Sequence, residues 1–209
     1  FLRKKGDTNS AIKYAKDAYY IFEKSLGSRH PFVANALKLI LETNGTSKSF
    51  KEGEIIIPEI LHSLNFSKND SISLLNVNSI SSLIETFHAI GIFYKNWYLE
   101  TSEKDKLYKS NHALYDAISV LQWERKRLLN PESKSEFSKL HFEIYEAAIQ
   151  TSLELYNITD SIQYKEKAFY LSQNSKSLLL YESIKNAQAF EYSGIPDSLL
   201  NKERELRIE

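Results

Sequence analysis

Cysteine is absent from all 209 residues of the sequence. This absence excludes disulfide bonds, thiolate metal sites and a cysteine nucleophile within the chain. The five histidines are scattered and none belongs to a His-Glu-x-x-His motif; they are His30, His62, His88, His112 and His141. His112 and Asp116 have the i, i+4 spacing that lets two side chains meet on a helix face. We therefore predict no catalytic residue, no cofactor and no metal in this segment.

A net charge is also lacking, because 27 lysines and arginines balance 27 aspartates and glutamates. Proteins that bind nucleic acids usually carry a basic excess or a basic face, so we predict no nucleic-acid partner. We interpret the short cluster Glu124–Arg127 as the solvated end of a helix, where cations complement the helix dipole. No run approaches the roughly 18 apolar residues of a membrane span, and we predict no membrane partner.

Turn-forming residues are scarce, with six glycines and four prolines in the sequence. Long stretches of helix-forming residues without such breaks indicate an all-α fold. Methionine is absent too, which fits a piece of a longer protein. The periodicity predicts helices over residues 8–26, 31–43, 50–65, 76–100, 105–130, 134–157, 160–190 and 196–209. Pro58 falls inside the third of these helices and is expected to kink it or to end its first half.

Small residues recur at helical spacing in four places. The four sets begin 42, 57 and 58 residues apart, and each follows an i, i+4, i+7 pattern that marks one helix face. They are Ala11, Ala15 and Ala18; Gly53, Ile57 and Ile60; Ser110, Leu114 and Ala117; and Ala168, Ser172 and Ser175. This pattern resembles the second helix of a tetratricopeptide (TPR) helix pair. It predicts that Ala117 is a tight contact between two helices.

Candidates for the first helix of such a pair are present as well. Phe87, Ile90, Gly91 and Tyr94 resemble the large, leucine, glycine and tyrosine positions of a TPR first helix. The stretch Phe1–Asp7 resembles the tail of another first helix followed by its turn, so the first pair is expected to be truncated in this sequence.

The stretch Ser25–Asn35 (SLGSRHPFVAN) is similar to the long TPR variant of kinesin light chains and their bacterial relatives. In that variant a Leu-Gly ends one repeat and a His-Pro opens the next. Here Gly27 can cap one helix, and Pro31 can begin the next at a position that needs no backbone N–H. The distance from Pro31 to Gly45 is somewhat shorter than in that variant. Either the second repeat is degenerate or methionines are missing from the sequence as written.

These resemblances imply an all-α fold, a TPR-like α-solenoid of antiparallel helix pairs. Residues 1–64 would hold TPR-like pairs, the first of them truncated. Residues 65–78 are polar and rich in turn formers, which predicts a loop. Residues 79–190 would hold longer TPR-like pairs, and residues 191–209 the start of a connector helix toward a further C-terminal domain.

The end of the sequence carries a more specific resemblance. Residues 167–180, followed by Gly194–Leu200 (GIPDSLL) and Glu205–Arg207, resemble the junction in bacterial CHAT-domain proteins. There a TPR array leads into a caspase-like cysteine peptidase domain. Gln173 and Asn174 depart from the usual Glu-Lys of that pattern. The resemblance implies that this chain is the TPR region of such a protein and that the family's catalytic histidine and cysteine lie beyond it.

Three interpretations of function remain. The first is a non-catalytic scaffold that binds a protein or peptide, including its own C-terminal peptidase domain, and so positions or regulates that domain. The second is a self-contained helical enzyme, which a cluster of perturbed ionisable groups in one pocket would favour. The third is a structural or oligomerisation spacer, which a large apolar patch on the outer face would favour.

The register of the first helix predicts which residues would bind a partner. If Phe87 and Gly91 face the paired helix, another face of the same helix lines the concave side of the array. That face carries Glu85, His88, Ile92, Lys95 and Asn96. Lys95 and Asn96 can donate to a carboxylate or a peptide backbone, and Ile92 offers apolar contact. The alternative is an ordinary solvated helix face, since exposed lysine and glutamate are common on any helix.

Overall fold

The computed structural model describes residues 8–67, 73–129, 133–134, 137 and 142–175, and these residues include helices but no β-strand. The predicted all-α fold is confirmed for this part of the chain. The helices are α1 (Thr8–Leu26), α2 (Pro31–Thr46), α3 (Phe50–Ser63), α4 (Ile80–Thr101), α5 (Lys104–Arg127), α6 (Phe142–Thr159) and α7 (residues 162–175), with one 3₁₀ turn at Ser73–Asn76.

Most of these bounds lie close to the predicted ones, and the exceptions have local causes. Helix α4 begins at Ile80 rather than at residue 76, because the Ser79 hydroxyl caps it by accepting a hydrogen bond from the Ser82 N–H at 3.2 Å. Helix α3 continues through Pro58 to Ser63, so of the two effects expected of this proline, an end to the helix is not observed. The predictions for residues 1–7, 68–72, 130–132, 135–136, 138–141 and 176–209 lie outside the described residues.

The junction between α1 and α2 is built as the sequence predicts. Gly27 has a φ of +82°, and its N–H closes the last turn of α1 by donating to the Glu23 carbonyl at 2.9 Å. His30 is the residue before α2, and its Nδ1 accepts a hydrogen bond from the Phe32 N–H at 3.1 Å. Pro31 occupies the first turn, where its missing N–H leaves no bond unmade.

Helices that follow one another in the chain pack together, and α4 lies at the centre of the described part. It packs against α2, α3, α5 and α6. Lys38 of α2 and Lys48 in the turn just after it form ion pairs with Glu85 and Glu100 of α4, respectively. The lysine that comes later in the chain pairs with the glutamate that comes later. Helices α2 and α4 therefore lie side by side and run in the same direction.

The closest approach between helices is that of α4 and α5. A Cβ atom added at Gly91 would lie 2.6 Å from Cγ of Leu114, so only glycine fits this position without a shift of the neighbour. The Ser110 hydroxyl donates to the Gly91 carbonyl at 2.7 Å. Ser110, Leu114 and Ala117 are all fully buried. The predicted close contact at the third set of small residues is therefore present.

An aromatic cluster joins α3 to α4. Phe50 stacks on Trp97, with ring centroids 5.3 Å apart and an angle of 9° between the rings. Phe93 meets both rings edge-on. A Cβ atom at Gly53 would lie 2.5 Å from Cε2 of Phe93, so this glycine makes room for the cluster. Aromatic pairs in such geometries add about 0.5–1.5 kcal/mol each beyond their buried area.

Burying a charge at Ala117 should destabilise the protein strongly. We expect Ala117→Glu to lower the free energy of unfolding by about 3 kcal/mol, because the carboxylate would enter a fully buried contact without a partner. Ser119→Glu, at an exposed position of the same helix, is the matched control and should change stability little. Chemical denaturation of both variants measures the difference, and equal stabilities would contradict the packing of α5 described above.

Candidate functional site: a groove between α2 and α4

The residues predicted to bind a partner lie on the side of α4 that faces α2 and α6. They are Glu85, His88, Ile92, Lys95 and Asn96. Glu85 pairs with Lys38 of α2, and the Lys95 ammonium donates to Oε1 of Gln150 on α6 at 2.9 Å. Glu85 is exposed and the other four are partly buried. The structure thus brings the five residues together on one face, while their role in binding stays a prediction.

A cavity of about 300 Å³ lies in this face, between α2 and α4. Its α4 side includes three of the five predicted residues, His88, Ile92 and Asn96. The full lining is Glu42, Gly45 and Thr46 from α2 and His88, Ala89, Ile92, Phe93 and Asn96 from α4. Its volume is at the lower limit of the range typical of ligand sites, about 300–1,000 Å³. It is large enough for one or two side chains of a bound peptide.

Two interhelical ion pairs frame the cavity along the helix axis. Lys38 and Glu85 form one of them, and Lys48 and Glu100 form the other at 2.7 Å. The two glutamates are 15 residues apart on α4, which corresponds to about 22 Å at 1.5 Å per helical residue. An extended peptide advances about 3.3 Å per residue, so about six or seven residues fit between the ion pairs.

Asn96 provides the cavity with a polar group that can both donate and accept. Its side chain makes no hydrogen bond to any other residue in the part of the chain that the structure describes. Across the cavity from Asn96 lies Gly45, which has no side chain. A Cβ atom added there would lie 3.2 Å from Cδ2 of Phe93 and 3.8 Å from Nδ2 of Asn96. A peptide backbone carries one donor and one acceptor per residue, which is the pair of groups a carboxamide complements.

The α2 wall of this cavity was not anticipated from the sequence. Glu42, Gly45 and Thr46 carry no motif, and the pairing of α2 with α4 joins residues about fifty positions apart in the chain. One signal was available: Gly45 lies inside a helix, where glycine costs about 1 kcal/mol relative to alanine. Glycine inside a helix therefore indicates that another group approaches the helix backbone closely at that position.

A second cavity, of about 430 Å³, lies between α3 and α5. Its floor is mainly apolar and comes from α4. The lining residues are Ile57, Leu61, Phe66, Phe87, Ile90, Tyr94, Tyr108, Lys109, His112, Ala113 and Asp116. The i, i+4 spacing of His112 and Asp116 predicts that the two side chains can meet, and His112 Nδ1 lies 3.1 Å from Asp116 Oδ2. The rest of this cavity was not predicted.

A cluster of ionisable groups lies beside this second cavity. The Tyr94 hydroxyl and the Lys109 ammonium both donate to Oε1 of Glu54, at 2.9 and 2.8 Å. Burial raises the pKa of Glu54, but the hydrogen bonds from Lys109 and Tyr94 outweigh burial and leave the pKa below its usual value. The hydrogen bond to Glu54 raises the pKa of Lys109. Burial, followed by the bond to Glu54, raises the pKa of Tyr94.

These pKa shifts are those of a structural ion pair. General acid–base catalysis at neutral pH needs groups whose pKa values are moved toward neutrality. In this cluster the carboxyl is made more acidic, and the ammonium and phenol are made less acidic. Three ionisable groups with shifted pKa values thus lie close together, as the enzyme interpretation requires. Each of these pKa values, however, is shifted away from neutrality.

The described residues also bear on two other kinds of site, a metal site and a membrane-spanning helix. Within the described ranges, no group of three or more histidine, cysteine, aspartate or glutamate side chains is placed to hold a metal ion. None of the described helices combines the length and the apolar character that crossing a bilayer requires.

Comparisons with known proteins leave the family of this chain open. No protein-family model matches its sequence, and no curated protein matches it either.

The Glu54 cluster should make stability depend on pH on the acid side. Since the folded pKa of Glu54 is lowered, its contribution is present above the ordinary value of 4.5 and is lost as the pH falls through the folded value. We expect Glu54→Gln to lower the melting temperature at about pH 7 and to do so much less near pH 3. Glu52→Gln, at an exposed site on the same helix, is the control. A Glu54→Gln effect that does not vary with pH would contradict this assignment.

Proposed function

We propose that this chain is a segment of a TPR-type α-solenoid that acts as a non-catalytic scaffold and binds a short peptide or a segment of a partner protein between α2 and α4. The observation that carries the proposal is the cavity between these two helices, framed by two ion pairs and offering the free carboxamide of Asn96. The bound segment would lie extended along the groove, with an apolar side chain against Ile92 and its backbone bonded to Asn96.

The packing of the helices supports the TPR assignment. Helices α4 and α5 are joined by two residues, Ser102 and Glu103, and pack with Gly91 against Leu114. Glycine in the first helix and a face of small residues in the second are the features by which the sequence resembles a TPR pair. The same-direction arrangement of α2 and α4 is the relation expected between first helices of consecutive repeats.

The resemblance at the end of the sequence suggests the wider setting. Gly194–Leu200 and Glu205–Arg207 are similar to the connector that precedes the caspase-like domain of CHAT proteins. We therefore propose that the occupant of the groove is a protein or peptide that controls such a domain, or a segment of the domain itself. Binding in the groove would then position or restrain the peptidase. This part of the proposal rests on the sequence resemblance.

The enzyme interpretation has less support. An imidazole and a carboxylate meet at His112 and Asp116, on one side of the second cavity. An imidazole–carboxylate pair needs a nucleophile or a polarised substrate group as a third component, and the neighbouring Lys109 is already bonded to Glu54. The scaffold interpretation uses the observed groove without requiring such a component.

Substitution of the groove should weaken binding without unfolding the protein. A library of short random peptides displayed on phage provides ligands, and the selected peptide is titrated against the wild type and against Lys95→Glu combined with Asn96→Ala. We expect the affinity to fall at least about tenfold, because residues at the centre of an interface contribute on the order of 1–2 kcal/mol. The melting temperature should change little, since both side chains are partly exposed and the Lys95–Gln150 hydrogen bond lies at the surface.

Lys51→Glu is the matched control, because Lys51 is an exposed lysine of α3 outside the lining of the groove. It should leave the affinity unchanged. Equal binding of the selected peptide by the wild type and the double variant would mean that the groove is assigned to the wrong face. Failure to select any peptide would contradict the scaffold proposal as a whole.

A further inference from the structure

Helices α2 and α4 have nearly the same pattern of burial when residues fifty positions apart are compared. Eight positions are buried in both helices, namely residues 33, 34, 36, 37, 40, 41, 43 and 44 of α2 and the residues fifty positions later in α4. At two positions on one face, a residue of α2 is exposed although its counterpart on α4 is buried. Phe32 and Leu39 are 53% and 39% exposed, whereas their counterparts Ser82 and Ala89 are buried.

The packing of α4 explains this difference in burial. Ala89 lies next to Glu85 on the face that packs against α2, and Lys38 of α2 bonds to Glu85. The buried state of this face of α4 thus depends on α2. Nothing in the described residues takes the equivalent place beside Phe32 and Leu39 of α2.

Helices α1 and α3 show the same difference when residues 42 positions apart are compared. Ile60 and Ser63 of α3 and Leu64, the residue after it, are completely buried, and α2 packs against α3. Their counterparts on α1 are Ala18, Ile21 and Phe22. Ile21 is 61% exposed, and the other two are partly exposed.

The exposed positions of α1 and α2 face each other across one groove. A cavity of about 300 Å³ marks it, and the rings of Phe22 and Phe32 meet across it at 5.5 Å. The lining residues are Tyr14, Ala15, Ala18, Phe22, Phe32, Asn35, Ala36 and Leu39. The groove between α3 and α4 is its structural counterpart, and that groove is filled by α2.

Asn35 gives this groove an unmet hydrogen-bonding requirement. Its Oδ1 atom is buried and has no hydrogen-bond partner in the described part of the structure. A buried acceptor without a partner costs about 1–3 kcal/mol. The counterpart of Asn35 is Glu85, and its partner is the ammonium of Lys38 on α2. An occupant of the α1–α2 groove with a donor at the register of Lys38 would satisfy Asn35 in the same way.

We propose that the α1–α2 groove is the docking site of an amphipathic α-helix that precedes α1 in the same polypeptide, runs parallel to α2 and donates a hydrogen bond to Asn35. The source follows from the internal comparison, because α2, which packs against both α3 and α4, is the helix that precedes α3 in the chain. This site is distinct from the peptide-binding groove between α2 and α4. It makes the exposed apolar face of α1 and α2 an intramolecular contact rather than an oligomerisation surface.

The absence of cysteine from the sequence allows a direct test with single introduced thiols. Leu39→Cys is prepared in the 209-residue chain and in the natural gene product extended upstream of Phe1, and its reaction with a thiol reagent is timed in both forms. We expect the thiol to react at least about tenfold more slowly in the extended form, because a docked helix must open before the reagent reaches it. Phe32→Cys is a second reporter on the same face.

Two matched controls give the reaction rates of a buried and of an exposed thiol. Ala89→Cys, the counterpart of Leu39 beneath α2, should react slowly in both forms, and Leu99→Cys, which is 61% exposed at the end of α4, should react quickly in both. Equal rates for Leu39→Cys in the two forms would overturn the proposal. Protection in the 209-residue chain that grows with protein concentration would assign the groove to a second copy instead. A gene with no residues upstream of Phe1 would also overturn it.

Discussion

The contact between Gly91 and Leu114 determines where every other face of α4 points. A side chain at Gly91 would collide with Leu114, and the Ser110 hydroxyl bonds to the Gly91 carbonyl. These two features hold α5 against α4 at backbone distance and in one register. Once that register is set, the helical period carries Phe93 toward Gly53 of α3 and leaves His88, Ile92 and Asn96 facing α2. The groove is thus a consequence of the packing on the far side of the helix.

Close packing also explains why polar residues are concentrated in the groove. Helix α4 is in contact with four other helices, and its remaining surface is narrow. Unsatisfied polar groups on the packed faces would cost about 1–3 kcal/mol each, so the helix uses mainly apolar residues there, with Ser82 and Thr86 as small polar exceptions. The larger polar side chains of Glu85, Lys95 and Asn96 fall on the less tightly packed face.

Local features of the fold were predictable from the sequence, and features that depend on distant contacts were not. The glycine cap at Gly27 and the proline start at Pro31 are properties of neighbouring residues, and both were found as expected. The faces of small residues predicted the α4–α5 contact because helical spacing is a short-range pattern. Continuation of α3 through Pro58 was less predictable, since packing of the whole helix can outweigh the loss of one backbone hydrogen bond. The cavity between α3 and α5 depends on how two hairpins are placed, which no local pattern encodes.

The charges around the groove restrict what it can recognise. Lys38 and Lys48 are paired with glutamates of α4, and Lys95, which the sequence suggested as a donor to a carboxylate, already donates to Gln150. A ligand carboxylate would have to displace one of these partners. An uncharged backbone would not, because Asn96 is available to it as both donor and acceptor. Surface ion pairs contribute only about 0–1 kcal/mol each, so their value here lies in holding the walls apart at a fixed spacing. We infer that the groove selects for shape and backbone hydrogen bonding, with the charge of the ligand as a minor factor.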